Sequence, residues 1–203
     1  MKEAGLLLVL SGPSGVGKGT IANCLLEIMP KMSLSVSVTT RRLRKGEAEG
    51  VDYHFAPESE FEELIREGKL LEWAKVYGSY YGTRRQFVED ALKKGRDVLL
   101  EIDIQGALQV KEKMPEAVLV FVVPPDKKEL RRRLEGRATD DQADIEKRLG
   151  CFAQEMALAE EYDYIVRNDD YRVAAQNIQW ILAAEKMRPR RLEEFLNSFG
   201  GST

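Results

Sequence analysis

The chain has 203 residues, of which 43% are hydrophobic and 32% are charged, and its formal net charge is -3. This length and apolar content suit one compact unit, and the near-neutral charge argues against a basic nucleic-acid-binding surface or an acidic disordered tail. The two cysteines, Cys24 and Cys151, are too far apart for a C-x-x-C zinc or redox site and fit a reduced compartment. His54 is the only histidine, which excludes multi-histidine metal sites and histidine-based triads.

The first predicted element is a buried strand, Leu6 to Leu10, which runs directly into a glycine-rich segment. Its apolar run is too short for a signal peptide or a membrane span, so we expect no membrane association and a cytoplasmic location. The segment GPSGVGKGT fits the phosphate-loop pattern G-x-x-x-x-G-K-[ST] through Lys18, and the hydroxyl follows one residue late, at Thr20. A helix predicted from about Lys18 adds its positive dipole end.

This pattern predicts a nucleotide-phosphate cradle in which backbone N–H groups and one lysine bind the phosphates. Lys18 would supply charge to the β and γ phosphates, and Thr20 the hydroxyl on the magnesium side. The loop residues are Gly12, Pro13, Ser14, Gly15, Val16, Gly17, Lys18, Gly19 and Thr20.

A different pattern occupies the region from Leu34 to about Thr83. Apolar residues alternate with serine and threonine over Leu34–Thr39, and apolar residues alternate again over Val51–Phe55, which predicts half-exposed strands. A helix is predicted from about Arg84 to Lys94, with Phe87, Val88, Ala91 and Leu92 on its buried face. We interpret the region as a small inserted module.

Two further apolar runs, Val98–Ile102 and Val118–Val123, have the length and β-branched content of strands buried on both faces. Helical patterns lie between them, and a last strand (Tyr162–Val166) and a closing helix (Val173–Met187) follow. Together these elements predict an α/β fold with a parallel sheet.

After the second of these runs comes an arginine-rich, polar helical stretch that extends to Arg148. Gly136 and the weakly apolar run Ala138–Asp144 interrupt it. The interruption predicts a mobile lid.

Glu101 and Asp103 lie at the end of a predicted buried strand, where carboxylates are rare unless a positive group is near. We expect both side chains on one face of that strand, beside the phosphates. They would hold magnesium or its waters.

The predicted module contains a dense cationic turn, Thr39 to Gly46, whose guanidinium groups suit a dianionic phosphate. Glu72, Tyr53 and the turn Tyr80–Thr83 fall within the same module. A glutamate accepts hydrogen bonds only, so it matches the adjacent N1–H and 2-amino donors of guanine, a pair that adenine lacks.

Six sequence blocks occur in the order found in one enzyme family: GPSGVGKGT, SVSVTTRRLRKGE, VDYHF, LLEWAKVYGSYYGT, LLEIDIQGA and RRLEGR. Through them the chain closely resembles guanylate kinase from about Leu6 to Glu185. The resemblance implies a P-loop NTPase fold with a five-stranded parallel sheet flanked by helices, an inserted α+β GMP-binding module and a helical lid. It also implies transfer of the γ-phosphoryl group of ATP to GMP, and to dGMP, in purine nucleotide metabolism, with Mg2+ as cofactor.

By this resemblance, residues 5–185 form the domain, and residues 186–203 form a C-terminal tail. The core would comprise 5–33, 95–125 and 150–185, the GMP-binding module 34–94 and the lid 126–149. The resemblance is compatible with a monomer or a homodimer.

The resemblance also implies roles for single residues. Those on the phosphate of GMP would be Arg41, Arg44, Tyr53 and Tyr81. Those reading guanine would be Ser37, Glu72 and Thr83, with Asp103 between the base and the metal. The lid arginines over the transferring group would be Arg133, Arg137 and Arg148. Asn168 would lie near the adenine of ATP.

Three other functions remain open at this stage. A kinase for another small phosphate acceptor would keep the phosphate loop but not the guanine-reading set. A non-catalytic phosphopeptide-binding module would have lost phosphate-loop residues, whereas Lys18 is present here. A nucleic-acid binder would show one continuous basic stripe, whereas these arginines form two separate clusters.

Overall fold

The computed structural model describes residues 5–44, 46–76, 78–136 and 142–199. In these ranges the strands are β1 (Leu7–Ser11), β2 (Ser33–Leu34), β3 (Val38–Thr39), β4 (His54–Phe55), β5 (Leu70–Val76), β6 (Ser79–Arg84), β7 (Val98–Glu101), β8 (Val118–Val123) and β9 (Tyr164–Arg167). The helices are α1 (Lys18–Ile28), α2 (Glu58–Arg66), α3 (Arg85–Lys93), α4 (Ile104–Lys113), α5 (Lys127–Glu135), α6 (Gln142–Ala157), α7 (Tyr171–Lys186) and α8 (Glu193–Asn197). Short 3-10 turns occupy Leu158–Glu161 and Pro189–Arg191.

The larger sheet has the strand order β2-β7-β1-β8-β9 over the described ranges, and every pairing in it is parallel. The prediction of a five-stranded parallel sheet is therefore confirmed. Parallel strands require crossover connections, and the helices between the strands provide them. All the strands end at the same edge of the sheet, and the glycine-rich loop leaves β1 at that edge.

Both faces of this sheet are buried, because successive side chains of a strand point to opposite sides. Leu8 and Leu10 pack in a cluster with residues of α1 and α7. Leu7 and Val9 pack in a second cluster with residues of α3 and α4. The predicted α/β layering, with helices on both sides of the sheet, is confirmed.

The smaller sheet has the order β4-β3-β6-β5, and α2 covers it through a separate apolar cluster. The expectation of one half-exposed strand over Leu34–Thr39 was wrong, because β2 belongs to the large sheet and β3 to the small one. Ser35 and Thr39 are consequently buried: Ser35 N donates to Leu99 O at 3.0 Å and Thr39 Oγ1 to Tyr80 O at 2.8 Å.

Two other local expectations in this region were also wrong. Only His54 and Phe55 of the segment Val51–Phe55 form a strand, and Val51 is exposed. Phe87 is 43% exposed, although Val88 and Ala91 of the same predicted face are buried as expected.

The arginine-rich stretch forms α5 and continues, after a gap in the described residues, into α6. Arg131 of α5 pairs with Glu146 of α6 at 2.7 Å. Arg137 and most of the interruption predicted at 138–144 lie outside the described residues, so a mobile lid stays a prediction. Among the described helices, none combines the length and apolar character needed to cross a lipid bilayer.

The small sheet offers a test of its own core. Phe61 is fully buried and stacks on Tyr80 with ring centroids 5.3 Å apart, whereas Phe87 is largely exposed on α3. We expect Phe61→Ala to lower the free energy of unfolding by about 3–5 kcal/mol, since it leaves a cavity. Phe87→Ala, the control, should cost less than about 1 kcal/mol. Urea unfolding measures both, and equal losses would contradict the packing described.

Candidate active site

The glycine-rich loop joins the carboxyl end of β1 to the amino end of α1. Gly17 precedes the helix with φ 93°, a left-handed conformation that suits glycine. A Cβ atom there would lie only 2.7 Å from Asn168 Nδ2, so a side chain would also be crowded. Lys18 Nζ donates to Gly12 O at 2.7 Å and to Pro13 O at 3.1 Å, which folds the ammonium group over the loop. The loop therefore presents amides, a helix amino end and an ammonium group together.

Two cavities lie on opposite sides of this loop. The first has a volume of about 600 Å3, and Gly12, Ser14 and Lys18 form one wall of it. The second has a volume of about 480 Å3, and its lining includes Gly15, Gly17 and Thr20. One short segment thus faces two separate spaces, each large enough to hold a substrate of moderate size.

The wall of the first cavity opposite the loop comes from the small sheet and its turns. Residues predicted to hold an acceptor phosphate lie there together: Arg41, Arg44, Tyr53 and Tyr81. Of the predicted base-reading residues, Ser37, Glu72 and Asp103 line the same cavity. Arg41 and Tyr81 therefore share one cavity with Lys18, as two facing anion sites require.

Arg41 is held in place before any anion arrives. Its Nη2 and Nη1 atoms donate to the two carboxylate oxygens of Glu47 at 2.7 and 3.0 Å, and its guanidinium lies 5.2 Å from the Tyr53 ring centre. The bidentate pair raises the pKa of Arg41 and lowers the pKa of Glu47. Burial raises the pKa of Tyr53, so its hydroxyl remains a neutral donor.

Glu72 is the buried acid of this cavity, with only 3% of its surface exposed. Thr83 Oγ1 donates to its Oε1 atom at 2.6 Å. Thr83 therefore contacts Glu72 although it does not line the cavity itself. Burial raises the pKa of Glu72 to about 7, and the nearby charge of Asp103 adds to the increase. The Thr83 hydrogen bond and Lys113 oppose it. Glu72 is therefore a buried acceptor that an incoming pair of donors would stabilise in its ionised form.

The expectation that Glu101 and Asp103 share one strand face was wrong. β7 ends at Glu101, and Asp103 is the N-cap of α4, where its Oδ1 accepts from Gly106 N at 2.8 Å. An N-cap aspartate satisfies an otherwise unpaired amide at the start of a helix. Both acids still line the first cavity.

The three predicted metal-side residues are not brought together. Glu101 lies against the first turn of α1, since a Cβ atom on Gly19 would be 3.4 Å from its Oε2 atom. Thr20 instead faces the second cavity. Among the described residues there is no cluster of three or more histidine, cysteine or acidic side chains that could hold a metal. Two carboxylates beside a phosphate loop nonetheless fit magnesium, which keeps several waters and takes phosphate oxygens as ligands.

The predicted lid arginines point to different sides of the loop. Arg148 Nη1 donates to Ser14 Oγ at 2.5 Å and lines the first cavity. Arg133 lines the second cavity, where it donates to Val16 O at 3.0 Å and to Asn168 O at 2.9 Å. Arg137 lies outside the described residues.

Asn168 is also fixed against the loop. Its Nδ2 atom donates to Val16 O at 2.7 Å, and its side chain is buried at the second cavity. Its Oδ1 atom is buried and has no hydrogen-bond partner in the described part of the chain. This oxygen is an acceptor available to a ligand.

Ser35 and Glu155 are among the residues that line the first cavity without having been predicted there. Ser35 is buried, and its hydroxyl lacks a partner among the residues that the structure describes. Glu155 lies on α6, two turns after Arg148, and that spacing was a signal that could have revealed it. Burial raises the pKa of Glu155, and the charge of Lys18 opposes the increase.

Comparisons with known proteins identify the family of the chain. The family model for guanylate kinase matches residues 5–185. The guanylate kinase of Clostridioides difficile is 46% identical over 96% of this chain and 95% of its own length. That of Lactococcus lactis is 50% identical over 96% and 95%. A crystal structure of guanylate kinase from Anaplasma phagocytophilum superposes with a TM-score of 0.81, at 42% identity over 98% of this chain and 96% of that one. The chain therefore belongs to the guanylate kinase family, whose members are nucleoside monophosphate kinases.

Proposed function

We propose that this protein transfers the γ-phosphoryl group of ATP to GMP, giving ADP and GDP, and that dGMP is a second acceptor. The observation that carries the proposal is the phosphate loop between two cavities, with anion-binding side chains and a buried glutamate across the first cavity. ATP phosphates on the loop would then meet the phosphate of GMP. Such an activity on free nucleotides fits a cytoplasmic enzyme of purine metabolism.

On the acceptor side, Arg41, Arg44, Tyr53 and Tyr81 hold the phosphate of GMP. Arginine forks and phenolic hydroxyls match its oxygens, and the Glu47 pair orients Arg41 in advance. Glu72 accepts from N1–H and the 2-amino group of guanine, Ser37 lies in the same cavity, and Thr83 contributes to the recognition of the base by holding the Glu72 carboxylate.

On the donor side, the amides of residues 12–20 and Lys18 bind the triphosphate. The adenosine part occupies the second cavity, where the unpartnered Oδ1 atom of Asn168 accepts from the adenine amino group. Arg133 lies beside this position and fixes the loop through Val16 O.

Phosphoryl transfer of this kind needs alignment and charge neutralisation more than a covalent partner. An oxygen of GMP attacks the γ-phosphorus in line, and the bond to the β–γ bridging oxygen breaks. Lys18 and Arg148 offset the charge on the transferring group. The family resemblance implies the same role for Arg137, which lies outside the described residues. We infer that the module (34–94) and the lid (126–149) close on the core (5–33, 95–125 and 150–185) and so exclude water.

Magnesium fits the same site, with Glu101 and Asp103 as the residues that would hold it or its waters. When bound, it would neutralise charge on the β and γ phosphate oxygens. Thr20 would donate to phosphate from the other side of the loop.

Two readings compete with this proposal. A kinase for another phosphorylated acceptor would leave the burial of Glu72 unexplained, because a buried acid needs donors to stabilise its ionised form. A phosphopeptide-binding module would need neither the ordered loop lysine nor the second cavity.

The proposal is tested by measuring ADP release with ATP and each nucleoside monophosphate in turn. We expect turnover with GMP and dGMP, little with AMP or pyrimidine monophosphates, and loss of activity with a chelator. Equal rates with all acceptors would overturn the guanine assignment, and no turnover with any would overturn the kinase assignment.

Replacing the loop lysine tests the donor site. Lys18→Ala should lower kcat by about two to three orders of magnitude, because the charge it neutralises develops in the transition state. Its thermal unfolding temperature should stay close to wild type, since the hydrogen bonds from Lys18 to Gly12 O and Pro13 O join parts of the loop and not of the core. Lys31→Ala, an exposed lysine after α1, is the control and should keep full activity. Normal turnover in Lys18→Ala would contradict the assignment.

The raised pKa of Glu72 predicts a pH dependence. With a pKa of about 7, the carboxyl group of the free protein is mostly protonated below that pH, and a protonated carboxyl cannot accept both guanine donors. The KM for GMP should therefore rise as pH falls, by about tenfold between pH 8 and pH 6.

Glu72→Gln is the control, because GMP phosphate itself titrates in this range with a pKa of about 6. The variant should show a high KM for GMP at every pH and only the residual slope of the phosphate. If the KM of the wild-type protein for GMP changed with pH no more steeply than that of the variant, Glu72 would not titrate in the binding step.

A further inference from the structure

β5 is the strand that carries Glu72, and it lies at the edge of the small sheet. Among the described strands it pairs only with β6, so the backbone groups on its other side have no described strand to bond. Unpaired edge groups need partners when they are covered by another element. Helix α4 of the core packs against this side of β5.

Gln109 of α4 serves as a substitute strand partner. Its Nε2 atom donates to Trp73 O at 2.7 Å, and its Oε1 atom accepts from Trp73 N at 3.3 Å. A side-chain amide has one acceptor and one donor side, as a peptide group has, so it satisfies both groups of one residue.

Lys113 makes the matching contact one turn further along the helix. Its Nζ atom donates to Leu71 O at 2.6 Å. The contacts of Gln109 and Lys113 therefore fix the backbone on each side of Glu72. The pairing of β5 with β6 is irregular between Leu70 and Glu72, so regular alternation along the strand does not fix the direction of the Glu72 side chain. The contacts on residues 71 and 73 instead hold the backbone from which that side chain projects.

The third member of this helix face is Gly106. A Cβ atom there would lie 2.3 Å from Glu72 Oε2, so the carboxylate occupies the space that a side chain would take. Positions 106, 109 and 113 lie on one face of a helix. This face contacts Glu72 itself and the residues before and after it.

We propose that Gln109 and Lys113 are positioning residues for guanine recognition, which hold β5 against α4 so that Glu72 faces the acceptor cavity. This inference rests on the proposed function, because it assigns the two side chains a part in reading the base of GMP. Neither side chain lines the cavity, so both act through Glu72.

The test compares Gln109→Leu and Lys113→Met with wild type. Leucine and methionine keep much of the side-chain volume but remove the hydrogen bonds to Trp73 and Leu71. We expect the KM for GMP to rise about three- to tenfold in each variant, with kcat and the KM for ATP within about twofold of wild type. The preference for GMP over IMP, which lacks the 2-amino group, should shrink.

Two controls separate positioning from general stability. Lys113→Arg keeps a donor for Leu71 O and should restore most of the GMP affinity that Lys113→Met loses. Glu112→Ala removes an exposed side chain beside Lys113 and should change nothing. Thermal unfolding of every variant is recorded alongside the kinetics.

The inference is overturned if the variants unfold earlier but keep the wild-type KM for GMP and preference over IMP. It is also overturned if the KM values for GMP and ATP rise together, or if Lys113→Arg is no better than Lys113→Met. Calorimetry of GMP binding in the absence of ATP distinguishes a failure of this inference from a failure of the proposed function. A wild-type protein that binds GMP but makes no GDP would refute the proposed reaction, and the variants' GMP affinities would still decide the inference. A wild-type protein that binds no GMP would refute both.

Discussion

The position of one short loop at the carboxyl edge of a parallel sheet constrains the rest of this site. β1 lies in the middle of the sheet, so the loop that follows it emerges between the elements that continue from β7 and from β8. In open α/β sheets the crevice outside the carboxyl ends of the strands is where ligands bind. In this protein the loop divides that crevice into two cavities. Lys18 and Ser14 face one cavity, and Thr20 faces the other.

The first cavity combines a group of arginines, Arg41, Arg44 and Arg148, with one deeply buried carboxyl group, that of Glu72. Burying an acid is unfavourable, and the pKa of Glu72, raised to about 7, expresses that cost. The Thr83 hydroxyl and Lys113 offset part of it, so the group is ready to ionise when a ligand supplies donors. A site that depends on ligand donors discriminates strongly against ligands without them, because the acid would otherwise remain unsatisfied.

Helix α4 links the strand that carries Glu72 to the core. Its N-cap, Asp103, lies in the cavity beside the loop, and its next three turns hold the strand that carries Glu72. Asp103, which we propose lies on the metal side, and Glu72, which we propose reads the base, are thus both positioned by the same helix.

Local patterns determined much of this protein. The run Leu6–Leu10, the glycines that follow and the helix at Lys18 are contiguous in the chain, so the phosphate loop and the parallel sheet could be predicted from sequence. The alternation of apolar and polar residues predicted exposure wrongly where burial depends on the neighbouring strands. Ser35, which follows β2, and Thr39 of β3 are both buried, because β2 and β3 join different sheets. The tertiary structure alone placed Arg148 and Arg133 on opposite sides of the loop, turned Asp103 into a helix cap, and brought Gln109 to the edge of β5. These outcomes depend on which distant elements pack together, and no single stretch of sequence encodes that contact.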